Sequence, residues 1–230
     1  MKTVVVDFRI SNKSENELKK LGYRVIKTQK NPNVCDAICG HPDIVLCKLK
    51  NHDFVVDTTF RGLLLCCEGN FIIGKSLLKD KYPFDIAYNS ALVGNKLFCN
   101  EKYTDKAILD YCINKDIKIL DIKQGYAKCS ICTVSDNAII TADKNISNTA
   151  IKNDIDVLLI ENKGIILNGY SEGFIGGATG LIEKDLLAVN GNIELHNDYQ
   201  RIKAFCAKYG VNVVSLSDEP IYDIGSIIKL

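Results

Sequence analysis

The sequence has 230 residues, a formal net charge of +1, 47% hydrophobic residues and 25% charged residues, which are ordinary proportions for a soluble globular protein. The near-neutral balance gives no long-range reason to expect a nucleic-acid partner, because such binding depends on neutralising phosphates. No apolar run approaches transmembrane length, and Asp7 comes too soon for a signal peptide. We therefore expect a cytoplasmic protein with no membrane or nucleic-acid partner, no cofactor, and ten cysteines that are mostly reduced.

A motif recurs about five times along the chain, roughly once per 40–50 residues, a spacing typical of repeat architectures. Each copy consists of small residues, an apolar strand, a polar turn and a second apolar strand. Four copies lie at residues 40–57, 89–99, 130–142 and 177–189. The remaining copy is split between the chain ends, with its first strand at 225–230 and its second at 3–7.

A helix and a third strand follow the second strand of the motif. The helical patterns lie at 14–22, 104–113 and 197–209. In the first of them, Ser14 and Glu17 form a capping-box start and Gly22 provides a stop. Third strands are predicted at 23–26, 117–120, 157–160 and 211–216. The repeating unit is therefore predicted to be β-β-α-β.

The order of these units predicts a ring. Because crossovers between parallel strands are right-handed by strong preference, five units would turn the same way around one axis. In the split copy, the last strand can pair with the first, which removes exposed sheet edges. The predicted fold class is α/β: a five-fold pseudosymmetric α/β propeller of ββαβ repeats, closed by pairing of the N- and C-terminal strands, with residues 1–230 as one domain. The alternative is an open α/β sheet with hairpin insertions, and the split copy argues against it.

Cys129 and Cys132 have the spacing of a redox or zinc pair. They are predicted to start a strand, where alternation would put the two thiols on opposite faces. A zinc site would need two more ligands, which Cys35, Cys39 and His41 could supply only if two repeats converge. We favour a packing role for the cysteines and predict no metal.

Polar residues in the small-residue stretches are the candidates for a site. His41 lies in the stretch of the second repeat, beside Pro42 and Asp43. Asp43 is predicted to stand at the mouth of a strand, where its carboxylate could bind a guanidinium or amine. The alternatives are that His41 is a satisfied turn histidine and that Asp43 caps backbone N–H groups. Glu172 and Asp223 precede their own stretches and could add negative charge. The other two histidines, predicted to lie at the surface, are His52 and His196.

A ring of five β-β-α-β units of this length resembles the pentein fold of the guanidino-group-modifying superfamily. That superfamily includes arginine deiminases, dimethylarginine hydrolases, agmatine deiminases and amidinotransferases, and also the non-enzymatic translation initiation factor 6 family. The resemblance covers the whole chain by its repeat pattern and is specific at few residues. The whole sequence is most similar to an uncharacterised clostridial-type family of that fold, which implies a bacterial protein and no known activity.

The residues that serve the enzymes of the superfamily are matched only in part. Pro42-Asp43 matches the Pro-Asp that supplies a substrate carboxylate in the dimethylarginine hydrolase type. The acidic pair that follows it there is absent from 46–49, the general-acid histidine is absent from 125–130, and the nucleophilic cysteine is absent from 223–226. The usual Cys-His-acid set is therefore missing from its expected places.

Two functions follow from these patterns. The first is a protein of no catalytic or of unknown activity that binds a small guanidino or amino ligand, or a protein partner, at the axial mouth. The alternative is a cysteine-dependent hydrolase or transferase acting on a guanidino or amidino compound, with Cys129, His41 and Asp43 as a relocated triad. The candidate substrate-binding residues are Asp43, Ser130, Glu172 and Ser226. Hydrogen-bonding reach between Cys129 and His41 around a cleft would favour the enzyme, and a mouth plugged by side chains would favour the binding protein.

Overall fold

The computed structural model describes residues 2–60, 62 and 67–230, and within them strands form five three-stranded sheets. In each sheet the middle strand pairs antiparallel with the first strand and parallel with the third. In the order first, middle and third strand, the sheets are β17 (Ile228–Lys229), β1 (Thr3–Val6) and β2 (Arg24–Lys27); β3 (Leu46–Lys48), β4 (Asp53–Val56) and β5 (Asn70–Ile73); β6 (Ala91–Val93), β7 (Lys96–Cys99) and β8 (Lys118–Asp121); β9 (Cys132–Ser135), β10 (Ala138–Thr141) and β11 (Asp156–Leu159); and β13 (Thr179–Glu183), β14 (Leu186–Val189) and β15 (Asn212–Ser215).

The split unit forms as the sequence predicts. Strand β17 pairs with β1, with Val4 opposite Lys229 and Val5 opposite Ile228, so the two chain ends share one sheet. The middle strands are the most buried, and β1 is buried along its whole length. Such strands read as continuous apolar runs because both of their faces are covered. A sixth, two-stranded parallel sheet of β12 (Ile165–Ile166) and β16 (Ile221–Tyr222) lies outside the repeat and was not predicted.

In the described ranges, four helices connect middle strands to third strands: α1 (Asn12–Lys20), α3 (Lys106–Asn114), α5 (Lys144–Ile151) and α6 (Tyr199–Lys208). Helix α1 is capped by Ser11, whose side chain accepts from the Ser14 backbone N–H, so the predicted start at Ser14 is corrected to an earlier residue. Gly22 ends the helical segment with a φ of 87°, as predicted. Helix α5 was not predicted, because its sequence is rich in residues that favour turns. It is held by its Asp143 cap and by burial of Ile146.

Two further helices have a single turn, and both precede the first strand of a sheet. They are α2 (Pro42–Val45), before β3, and α4 (Ala127–Ser130), before β9. Asp43 therefore lies in a helical turn and not at the mouth of a strand. Cys129 likewise lies in α4, while only Cys132 lies on a strand, so the predicted alternation of the two thiols is wrong. Pro42 occupies the start of α2, where its fixed φ and missing N–H suit a first helical turn.

The first strands of all five sheets line one cavity of about 710 Å³, which we call the inner-strand cavity. Neighbouring first strands are in contact, for example β13 with both β9 and β17, and β3 with β6. Hydrogen bonding between strands does not join the five sheets in the described part of the chain. The small-residue stretches stand at the starts of these first strands, so the arrangement of the sheets brings those stretches together.

Other predictions are settled by burial. His196 is 3% exposed, so its predicted surface position is wrong. Its ring hydrogen-bonds to the Glu161 carbonyl and accepts from the Asp198 backbone N–H. His52 is exposed, as predicted. A predicted packing role for Cys66, beside Cys67, falls on a residue outside the described ranges. Among the described residues, no helix has the length and apolar character needed to cross a membrane.

Candidate functional site

The structure brings His41, Asp43 and Cys129 together. One donor atom from each lies within 4.8 Å of the other two, and none of the three residues is more than 3% exposed. The Cys129 thiol donates to Asp43 Oδ2 at 3.1 Å. Ser226 Oγ lies 2.8 Å from the same oxygen and 2.9 Å from the Gly176 carbonyl oxygen, which compete for its single proton. We refer to His41, Asp43, Cys129, Asp223 and Ser226 as the buried polar cluster.

Asp223 supplies a second buried carboxylate beside the histidine. Its Oδ1 lies 4.0 Å from His41 Nδ1. The carboxylate also accepts from the backbone N–H groups of Phe174, at 2.9 Å, and Gly225, at 3.0 Å. Burial raises the pKa of Asp223 and the nearby Asp43 raises it further, while His41 opposes the shift. The cluster therefore carries two carboxylates in a poorly solvated space.

The Cys129 thiol is held in its neutral form. Burial raises its pKa well above the usual range, and the charges of Asp43 and Asp223 raise it further. Asn89 opposes this effect weakly by donating from Nδ2 to Sγ at 3.2 Å. Since the thiolate is the nucleophilic form, the thiol in this arrangement is not activated.

Several polar atoms of the cluster lack a hydrogen-bond partner. Both ring nitrogens of His41 and Oδ1 of Asp43 are buried and unpaired among the described residues. Buried polar atoms are almost always paired, because leaving one unpaired costs about 1–3 kcal/mol. These three atoms belong to the same cluster, which therefore has unused hydrogen-bonding capacity.

A lysine approaches the cluster without forming an ion pair in it. Lys128 Nζ donates to Ser226 Oγ at 3.0 Å and reaches the Gly176 carbonyl at 3.5 Å. Ser226 in turn contacts Asp43, so the ammonium and the carboxylate are connected through one hydroxyl. Among the described ion pairs, neither Asp43 nor Asp223 has a lysine or arginine partner.

Glycines in the small-residue stretches allow the close approach of the cluster residues. A Cβ at Gly225 would lie 2.2 Å from His41 Cβ, and one at Gly177 would lie 2.0 Å from Asp223 Oδ1. Ser226, which follows Gly225, has a φ of 74°, an uncommon conformation for a residue with a side chain. The recurring small residues of the sequence therefore make room for polar side chains at this point.

Two cavities flank the cluster. His41 lines one of about 240 Å³, together with Asn31 and Cys39. Asp223 lines another of about 470 Å³, beside Asp7 and Arg9. The second has an internal guanidinium in its wall: Arg9 donates to both carboxylate oxygens of Asp7, at 2.9 and 2.6 Å, and to the carbonyls of Asp36 and Ala37. His41 and Asp223 are thus the members of the cluster that border these two cavities.

The other residues predicted for the site lie elsewhere. Ser130 is 2% exposed with an unpaired hydroxyl, but it is not among the residues that contact Asp43. Glu172 is exposed and lines a separate cleft with Lys144 and Arg201. The structure adds Asn89, which sequence reasoning did not select. Its Oδ1 accepts from the backbone N–H groups of Lys128 and Cys129, at 2.8 and 3.3 Å, and so holds the start of α4.

The donor atoms also bear on the zinc alternative. The group that the described residues offer is His41, Asp43 and Cys129, and it does not include Cys35, Cys39 or Cys132. The zinc site considered from the sequence is therefore not the one that the fold assembles. An imidazole, a carboxylate and a thiol are all ligands that zinc accepts, so a metal is a competing occupant of the cluster.

A family model matches residues 5–228, nearly the entire chain, and its description is "Family of unknown function (DUF6873)". The chain belongs to this family. No curated protein matches the sequence. The family assignment therefore gives this chain no activity.

Solved structures of guanidino-modifying enzymes resemble this DUF6873 chain over nearly its whole length. SxtG, an amidinotransferase from Microseira wollei in the saxitoxin biosynthetic pathway, has a TM-score of 0.54 and 10% identity, covering 94% of this chain and 88% of that one. A dimethylarginine dimethylaminohydrolase variant from Pseudomonas aeruginosa, complexed with citrulline, has a TM-score of 0.57 and 8% identity, covering 93% and 91%. The inosamine-phosphate amidinotransferase StrB1 from Streptomyces griseus has a TM-score of 0.56 and 11% identity, covering 94% and 88%. The predicted pentein resemblance is confirmed, and at these identities the likeness shows the fold alone.

Proposed function

We propose that this DUF6873 protein binds a small guanidinium- or amidinium-bearing molecule at the buried polar cluster, in a closed ring of five sheets that forms one domain. The pairing of β17 with β1 and the shared inner-strand cavity support the ring. The observation that carries the ligand class is the pair of buried carboxylates, Asp43 and Asp223, which have no lysine or arginine partner in the described ion pairs.

A planar cation suits this arrangement electrostatically. Burying a carboxylate without a compensating charge is costly, so a cation between Asp43 and Asp223 would be stabilised by both. A guanidinium or amidinium also presents several N–H donors in one plane. The unpaired Asp43 Oδ1 would accept one of them, and an unprotonated His41 nitrogen would accept another.

Binding without turnover is the leading proposal because of the state of the thiol. The Cys129 thiol donates a hydrogen bond to Asp43 and its pKa is raised, so the thiol of the ligand-free cluster is not an activated nucleophile. In the described part of the chain, Cys129 and His41 are not hydrogen-bonded to each other: His41 Nδ1 lies 4.0 Å from Asp223 Oδ1, while the thiol donates to Asp43. Cysteine, histidine and aspartate serve catalysis in other proteins, but their arrangement in this cluster favours ligand recognition.

The proximity of Cys129 and His41 supports a second candidate, a cysteine-dependent hydrolase or transferase on the same ligand class. A bound cation would offset the charges of Asp43 and Asp223, which are two of the causes that raise the thiol pKa. His41 would take the thiol proton, and the thiolate would attack the amidino carbon. An amine would then leave with that proton from His41, and water or an acceptor amine would cleave the resulting C–S bond.

A ligand panel distinguishes these possibilities. The thermal unfolding midpoint would be measured after dialysis against a chelator, with agmatine, arginine, benzamidine, citrulline or Zn²⁺ added. Guanidinium and amidinium compounds are expected to raise the midpoint. Citrulline has an uncharged ureido group in place of the guanidinium and is expected to leave the midpoint unchanged. Stabilisation by Zn²⁺ alone, or equal stabilisation by citrulline and arginine, would contradict the proposal. Release of urea, ammonia or an amine from a stabilising compound would establish the enzymatic alternative.

A further inference from the structure

The inner-strand cavity has a strongly unbalanced charge. Its lining includes four lysines, Lys48, Lys50, Lys128 and Lys229, and one acidic residue, Asp136. The lysines come from β3, the turn after it, α4 and β17, so they are distant in sequence and converge only through the fold. At about 710 Å³ the space is of the size that small organic ligands occupy.

Three of these lysines, Lys48, Lys50 and Lys128, have only neutral hydrogen-bond partners among the described residues. Lys48 Nζ donates to the Lys229 carbonyl at 2.7 Å, and Lys128 Nζ contacts the Ser226 hydroxyl and the Gly176 carbonyl. Lys50 Nζ donates to Asn95 Oδ1 at 2.5 Å. Among the described ion pairs, Lys229 is the member of the four with a charged partner, Glu183, at 2.6 Å.

The positive charges of the cavity disfavour one another. The Lys48 side chain is exposed, with protein atoms of the cavity walls around it. Desolvation by these walls, together with repulsion from Lys229 and Lys128, lowers the pKa of Lys48 to about 8, and Glu183 opposes the shift. The ligand-free cavity therefore holds ammonium groups in an unfavourable arrangement, which an anion would relieve.

The wall also contains an unpaired hydrogen-bonding group and an apolar surface. Ser90, 3% exposed, lines the cavity, and its buried hydroxyl has no partner among the described residues. Apolar residues from the first strands of four of the five sheets, or from the starts of those strands, also line the cavity: Leu46, Leu92, Leu181, Ile227 and Ile228. The cavity thus combines cations, one free hydroxyl and apolar walls.

We propose that the inner-strand cavity binds a small organic anion, in which a carboxylate or phosphate group contacts Lys48 and Lys128 while an apolar portion packs against Leu92 and Leu181. This site is separate from the guanidinium site proposed above, and it requires the opposite ligand charge. Lys128 stands between the two, since its ammonium lines the cavity and contacts Ser226 of the buried polar cluster.

Calorimetric titration at neutral pH tests this inference with phenyl phosphate, inorganic phosphate and phenol as probes. Phenyl phosphate is expected to bind more tightly than inorganic phosphate, which lacks the apolar portion, and phenol is expected not to bind. Lys48→Met is expected to weaken phenyl phosphate binding about tenfold or more, as for loss of one charge-assisted hydrogen bond. Lys203→Met, which changes an exposed lysine on α6 away from the cavity, is the matched control and is expected to bind as the unaltered protein does.

A second variant keeps the test decisive if Lys48→Met fails to fold. Lys128→Gln is expected to weaken phenyl phosphate binding to a similar extent. Undetectable phenyl phosphate binding at about 10 mM, equal binding of phenol, or unchanged affinity in the folded lysine variants would overturn the inference. Agmatine binding to Lys48→Met is a separate readout: its loss would count against the guanidinium site, whereas its retention with loss of phenyl phosphate would support two distinct sites.

Discussion

Cys129 and Asp43, 86 residues apart in the chain, are joined by a 3.1 Å hydrogen bond in which the thiol donates to the carboxylate. The bond places a carboxylate beside the sulfur, where a cysteine enzyme would need a histidine or a cation to stabilise the thiolate. It keeps the proton on sulfur, because the neighbouring negative charge and burial both disfavour the thiolate. The same contact brings one-turn helices from two repeats together, so the cluster depends on the packing of the sheets.

Slow alkylation of Cys129 is the first consequence. With limiting iodoacetamide near pH 7.5, Cys129 is expected to react more slowly than Cys35, which is partly exposed, because the thiol of Cys129 is buried and its pKa is raised. Peptide mass spectrometry reads the modified cysteine. Asp43→Asn removes one charge that raises this pKa and is expected to speed labelling at high pH more than Glu172→Gln does. Faster labelling of Cys129 than of Cys35 in the unaltered protein would show an activated thiol.

Asp223 predicts a pH dependence of stability. Its pKa is raised in the folded protein, so the folded state holds this proton more tightly than the unfolded state. The contribution of Asp223 to the free energy of unfolding is therefore lost as the pH rises from about 4 through the raised folded pKa. Asparagine does not titrate, so Asp223→Asn lacks this loss of stability with rising pH. Its stability relative to the unaltered protein, measured by urea unfolding between pH 4 and neutral pH, is expected to improve as the pH rises, and a constant difference would contradict this view.

Gly225 tests the tight packing beside His41. Gly225→Ala is expected to lower the free energy of unfolding by about 2–4 kcal/mol, because it combines a φ of 67° with a Cβ 2.2 Å from His41 Cβ. Gly22→Ala is the matched control, with a φ of 87° but open space around the added Cβ. The control is expected to cost only about 1 kcal/mol. Equal losses for the two variants in denaturant unfolding would mean that His41 moves aside without cost.

Lys48 predicts a stability change of the opposite sign from that of Asp223. Its pKa falls from 10.5 to about 8 in the folded protein, so the unfolded state binds more protons between these values. The destabilising contribution of Lys48 is therefore present below about pH 8 and is relieved as the pH rises toward 10.5. Lys48→Met is expected to be more stable than the unaltered protein at pH 7, with the difference shrinking by pH 10 in urea unfolding. A difference that does not change with pH would contradict the charge crowding of the cavity.

Much of the strand order could be predicted from the sequence, because alternating small, apolar and polar stretches recur in each unit. The split unit is the clearest example of a predicted pairing, because Ile228 lies opposite Val5 as the pattern requires. Local patterns did not reveal the one-turn helices, since four residues are too few to show a period. They therefore placed Cys129 at the start of a strand and Asp43 at the mouth of one, where the structure has one-turn helices, while still selecting both as site residues.

The composition of the cluster depended on tertiary contacts that no local pattern encodes. Asn89 holds α4 from a different repeat, and only the packing of the sheets shows this role. Glu172 and Asp223 looked equivalent in sequence, each preceding a small-residue stretch. Asp223 is enclosed by backbone donors from Phe174 and Gly225, whereas Glu172 remains exposed. Burial, and not sequence position, separates the two carboxylates.

Calorimetric titration of agmatine into the unaltered protein and into Asp43→Asn tests the central claim most directly. The amide of asparagine keeps the shape of the carboxylate and removes its charge, and Glu172→Gln makes the same chemical change at an exposed residue outside the cluster. We expect agmatine to bind the unaltered protein and Glu172→Gln alike, and to bind Asp43→Asn at least about tenfold more weakly. Equal affinity for all three proteins, or no binding to any of them, would contradict a guanidinium site at the buried polar cluster.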